Sequence, residues 1–80
     1  MTQTLPGFPR LTVEPDKLGG QPCVRGYRFG VEQLLEMLAE GMGFEEIHAD
    51  FPFIEREDIR EALRYAAAIA RREFYLPTPA

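Results

Sequence analysis

The sequence predicts a small, mostly α domain: three helices in a helix-turn-helix bundle, preceded by a short N-terminal β arm. Three observations lead there. An apolar period of i, i+3, i+4, i+7 and i+11 sets in at Val31; glycines and a proline cut the helical region into three segments; and extended-type stretches are confined to the first third of the chain.

Each element follows in order. Residues 1–9, with Pro6, Gly7 and Pro9, are rich in breakers and read as a flexible leader. Residues 10–13 alternate polar and apolar side chains and stop at the turn signal Glu14-Pro15-Asp16, which makes a short strand. A Gly19-Gly20 turn leads to a second extended piece at 22–24, and Gly26 permits another reversal. Strands this short are stable only when packed on helices or paired across a dimer.

Val31, Leu34, Leu35 and Leu38 share one side of a helix over 31–40, with Glu32, Glu36 and Glu40 on another, and Gly41 caps it. Phe44, Ile47 and Phe51 mark a second helix over 44–50, stopped by Pro52. A third runs over 55–73, with Ile59, Ala62, Leu63, Ala66, Ile69 and Ala70 as its expected buried stripe. The acids at 55, 57 and 58 suit its N-terminus through the helix dipole. Short glycine connections between helices are the layout of a helix-turn-helix domain spanning 10–74, and the proline-punctuated tail 75–80 leaves the last helix.

Size and composition narrow the function classes. Eighty residues lie near the limit at which one core is stable alone, so a partner or a homodimer is expected. No apolar run approaches the roughly 18 residues that a membrane span needs, and the start carries no signal-peptide pattern, so the chain reads as cytoplasmic. One cysteine, Cys23, and one histidine, His48, are too few soft ligands for a zinc site. Serine is absent, and Asp50 lies only two residues from His48, so no catalytic triad or acid/base pair assembles. The reading is a non-enzyme without cofactor, metal or small-molecule substrate.

The net charge of −4 conceals segregation. Residues 32–58 hold nine acids against Arg56 alone, whereas the first thirty residues and the last helix are rich in arginine. Arg56, Arg60 and Arg64, spaced i, i+4, i+8, project from one side of the third helix and are candidates for contacting double-stranded DNA in the major groove. A second reading pairs Arg60 with Glu57 and Arg64 with Glu61, leaving a solvated surface. Arg25 and Arg28, in the glycine-rich arm, either reach phosphates or bridge to Glu32 or Glu36. Those carboxylates, with Glu40, Glu45, Glu46 and Asp50, form a negative surface suited to a basic protein. Phe74, Tyr75 and Leu76 are candidate interface anchors, since buried interface centres favour such side chains.

The stretch Gly19-Gly20-Gln21-Pro22-Cys23-Val24-Arg25-Gly26-Tyr27-Arg28 resembles the Gly-Gly-x-Pro-x-Val-x-Gly-x-Arg core of the domain of unknown function 433 (DUF433) family. The likeness continues through Leu38-Ala39-Glu40-Gly41-Met42, Glu45-Glu46-Ile47, Asp50-Phe51-Pro52, Glu57-Asp58-Ile59 and Ala62-Leu63-Arg64-Tyr65-Ala66, covering about residues 10–72. Relatives usually carry Thr where Tyr27 stands and Pro where Gly30 stands. The resemblance implies a homeodomain-like helix-turn-helix fold and a VapB-like antitoxin of a toxin-antitoxin pair. It further implies a dimer whose arm adds to the partner subunit and a toxin that is a PIN-like ribonuclease. Together with the arginine row this leads to an expected antitoxin that holds its toxin and regulates transcription by binding its own promoter. A protein-interaction adaptor without DNA binding and a stand-alone transcription regulator are the alternatives.

Overall fold

The computed structural model describes residues 2–73. Strand β1 (Gln3–Leu5) turns through Pro6 and Gly7 into β2 (Phe8–Val13), and β2 pairs in turn with β3 (Cys23–Val24), giving an antiparallel sheet of order β1-β2-β3. Gly7 sits at φ +85, which a residue with a side chain rarely adopts, and Pro6 presets the turn ahead of it. Helices α1 (Val31–Ala39), α2 (Phe44–Asp50) and α3 (Arg56–Glu73) follow.

This corrects the predicted class. The domain is α+β, three helices with a three-stranded antiparallel sheet at the N-terminus, and not a mostly α bundle with a short arm. Nor is the start of the chain a leader: 3–5 and 8–13 are the two strands of a hairpin. Breaker residues signal a turn as readily as a loose end, and composition alone does not reveal that two strands flank it.

The pairing of β1 with β2 is irregular. Gln3 faces Val13 and Thr4 faces Thr12, but Leu5 faces Phe8, so residues 9–11 have no partner on β1. Pro9, which has no N–H to give a ladder, falls in this gap, and so does Arg10.

Each helix end has a local cause. Gly41, at φ +93, closes α1 by donating to Leu38 O at 3.0 Å while Met42 N reaches Met37 O at 3.1 Å, a Schellman ending. Pro52 follows the end of α2. At the start of α3 the Asp58 carboxylate accepts the Glu55 amide at 2.8 Å, the reach-back half of a capping box.

The core draws on every layer: Leu11 and Val24 from the sheet, Phe29 from the loop before α1, Val31 and Leu34 from α1, Ile47 from α2, Ile54 from the α2–α3 loop and Ala62 from α3. Phe29 meets Phe51 and Phe53 edge-on at centroid distances of 4.7 and 5.7 Å. The stripe expected on α3 is only partly buried. Leu63 and Ile69 are 49% and 37% exposed, and Ala70 is exposed too. The buried positions are Asp58, Glu61 and Ala62, backed by half-buried Ile59, Tyr65 and Ala66. An apolar period missed this face because two of its innermost residues are acids.

Candidate functional site

Two charged surfaces and one buried polar latch hold most of the charged residues that the sequence singles out. The latch forms where the glycine-rich stretch meets the start of α3. Val24-Arg25-Gly26-Tyr27 is a tight turn closed by Tyr27 N donating to Val24 O at 2.8 Å, with Arg25 at φ +42 and Gly26 at φ +79. Positive φ at both central residues is the type I′ pattern, which glycine accepts freely and arginine does not. Surrounding bonds hold it in place: Arg25 N donates to Arg10 O at 2.8 Å, Gly26 N to Thr12 Oγ1 at 2.9 Å, and Lys17 Nζ to Gly26 O at 2.5 Å.

The turn aims the Arg25 guanidinium inward. It donates through Nε and Nη2 to the two oxygens of Asp58 at 2.9 and 2.8 Å, and through Nη2 to Phe53 O at 2.5 Å. Arg10 approaches the same carboxylate from β2 at 2.9 Å and also reaches Glu55 at 2.8 Å. Its amide donates to Glu61 Oε2 at 2.5 Å. Asp58 is fully buried, and all its bonding capacity toward these groups is engaged. Burial alone would push its carboxyl up; the Arg25 fork, the Glu55 amide and Arg10 outweigh this and hold it below the ordinary carboxylate value. The same fork raises the Arg25 guanidinium further, against the opposing effect of burial.

Arg25 is therefore a structural residue here and not a free cation. Sequence reasoning missed Arg10, Asp58 and Glu61 as a unit. The available signal was the buried phase 58, 61, 62, 65 on α3, which is i, i+3, i+4, i+7 once polar residues are admitted to the core-facing side.

The first charged surface lies along α3. Arg56, Arg60 and Arg64 share its exposed side, and Arg71, which the sequence reading left out of the row, falls between Arg60 and Arg64 in angle. Arg56 lies over the Phe44 ring at 4.3 Å and 3.3 Å from Glu45, while Arg60 pairs with Glu57. Arg64 has no carboxylate partner among the described residues, because Glu61 turns inward to Arg10. Arg28 is exposed on the loop before α1, well outside the latch.

The second surface is acidic and flanks a groove. Glu32 and Glu36 stand exposed, one turn apart on α1, beside a groove of about 460 Å³ lined by Pro22, Val31, Leu35, Ala39 and Tyr65. Phe74, Tyr75 and Leu76 lie outside the described residues. Cys23 is buried, and His48 stacks on Phe44 with Nδ1 2.9 Å from Ile54 O, so the ring donates from that nitrogen. No helix among the described residues is long and apolar enough to cross a membrane.

The chain is 40% identical over 58 residues to the uncharacterized protein y4eO of Sinorhizobium fredii, an alignment that covers 72% of this chain and 26% of that protein. This chain thus spans about a quarter of that relative's length. Its fold is similar to the crystal structure of a DUF433 member protein from Anabaena variabilis, with a TM-score of 0.71 and 25% identity, over 79% of this chain and 62% of that one. The family model described as protein of unknown function (DUF433) matches residues 11–66, which hold the second half of β2, all of β3, the Arg25 turn, Asp58 and Glu61 of the latch, and both charged surfaces up to Arg64; the chain belongs to the DUF433 family.

Proposed function

We propose that the chain is a VapB-like, cytoplasmic antitoxin that binds its promoter DNA as a homodimer and neutralises a PIN-like ribonuclease by direct contact. The observation that carries the DNA half is the arginine row of α3. From Arg56 to Arg71 the row spans fifteen residues, about 22 Å at ~1.5 Å per residue, more than the ~12 Å width of a major groove. A helix laid there brings Arg64 to base edges or phosphates and the ends of the row to the flanking backbone. Arg28 adds a fifth exposed cation, whereas Arg25 is committed to Asp58.

The acidic surface of α1 repels DNA, so it faces away from the duplex and is free for a protein. A ribonuclease, built to attract phosphates, presents the complementary sign. The pairs Arg60–Glu57 and Arg56–Glu45 favour a second reading, an adaptor whose arginines are internally neutralised. Exposed pairs of this kind are worth under about 1 kcal/mol and open readily toward a phosphate.

Fluorescence anisotropy with a labelled promoter duplex separates the two. The DNA reading expects log affinity to fall linearly with log salt and Arg64→Glu to weaken binding about tenfold or more. Salt-independent or undetectable binding would leave the adaptor. Co-purification of a ribonuclease that this protein inhibits tests the toxin half, and DNA binding without such a partner would mean a stand-alone regulator.

A further inference from the structure

We infer that the groove between α1 and Tyr65 docks a basic amphipathic helix of a partner protein. The inference rests on the reading above for the existence of a protein partner, and it names the segment of that partner and where it sits. The groove combines an apolar lining with two carboxylates in a fixed relation. Val31, Leu35, Ala39 and Tyr65 supply aliphatic and aromatic surface, and Glu32 and Glu36 stand one helical turn apart beside it. Neither carboxylate belongs to an ion pair among the described residues. Side chains four apart on a helix are neighbours at about 5–6 Å, so this pair matches two Lys or Arg residues at the same spacing on an incoming helix whose apolar side enters the groove.

The charge excludes nucleic acid, and the geometry argues against a second copy. The basic helix that a second copy could offer is α3, yet its arginine side and the groove point in different directions. Around the helix Tyr65 lies about 180° from Arg56, 140° from Arg60 and 100° from Arg64 at ~100° per residue. A two-fold exchange of α3 for groove would require both divergent surfaces to meet at once; met one at a time they give a head-to-tail, open-ended contact. A foreign helix meets no such constraint.

Site-specific photo-crosslinking in the host cell tests this, with Ala39→benzoylphenylalanine as the probe position on the exposed lip of the groove. The adduct is digested and its peptide sequenced by mass spectrometry. The expected peptide comes from another protein and carries at least two Lys or Arg at i, i+3 or i, i+4 beside Leu, Ile or Val. Adduct yield should fall about tenfold in Glu32→Lys/Glu36→Lys, and less than twofold in Glu46→Lys/Asp50→Lys, which changes net charge equally on α2 at exposed positions outside any ion pair among the described residues. The neutral Glu32→Gln/Glu36→Gln should give an intermediate loss. Thermal midpoints of all variants should stay together, since the substituted side chains are exposed.

An adduct to this chain itself, to nucleic acid or to a peptide without basic residues, the absence of any adduct, or equal losses in both charge reversals would overturn the inference. If the adduct protein has the expected helix but no ribonuclease activity, the antitoxin reading fails and the docking site stands. If an inhibited ribonuclease co-purifies without forming the adduct, the reverse holds.

Discussion

Arg25 and Asp58 form a two-pronged ion pair at 2.9 and 2.8 Å across 33 residues of sequence, joining a strained turn in the glycine-rich stretch to the first turn of α3. A left-handed arginine is costly by itself, and it persists because the fork, the Phe53 carbonyl and three backbone anchors all require the same conformation. The pair tethers the sheet to the helices.

Removing one member should cost far more than a surface charge does. Asp58→Ala removes the buried acceptor that Arg25 and Arg10 share and strips the cap from Glu55, so a loss of about 3–5 kcal/mol is expected in urea unfolding. Double substitution of Arg25 and Asp58 by alanine should recover part of it, because neither charge is then stranded. Strict additivity would mean that the two side chains do not interact.

The pH dependence has a definite sign. The Asp58 carboxyl is depressed in the folded chain, so the unfolded state takes up its proton first as pH falls. Its contribution is complete above the unfolded carboxylate value of about 3.9 and is lost as pH drops through the lower folded value. Stability of the natural sequence should therefore fall more steeply below about pH 4.5 than that of Asp58→Asn, as read by urea midpoints across pH 2.5–6. Parallel curves would remove Asp58 from the acid response.

Gly26 and Gly30 should respond in opposite directions. Nothing lies within 4 Å of a Cβ built on Gly26, so Gly26→Ala meets only its backbone, at φ +79, and should lose about 1–2 kcal/mol. Gly30 sits at φ −75 and ψ 146, where proline is at ease, and its Cβ would meet Leu18 at an ordinary 3.5 Å. Gly30→Pro should gain about 0.4–1 kcal/mol by limiting the unfolded chain, seen as a raised thermal midpoint.

On α3 the exposure of Leu63 sets a contrast with the core. Ile54→Ala, at a position with no exposed surface, should cost about 2–4 kcal/mol, whereas Leu63→Ala should cost under about 1 kcal/mol. Similar losses would place Leu63 inside an interface that the single chain does not reveal.

By itself the sequence determined the helices and their ends. Val31, Leu34 and Leu38 recur at the helical period, Gly41 can adopt the left-handed cap and Pro52 cannot continue α2, all of which are local properties of neighbouring residues. Only the tertiary structure decided the rest. That Pro6 and Gly7 join two strands, that Pro9 and Arg10 fall in a gap of the pairing, and that Arg25 turns inward to Asp58 while Arg64 is left facing solvent all depend on residues far apart in the chain. An arginine's spacing reveals its side of a helix or turn, but whether it meets water, DNA or a buried carboxylate depends on what the fold brings opposite it. For Arg25 that was an acid 33 positions away, which no local pattern encodes.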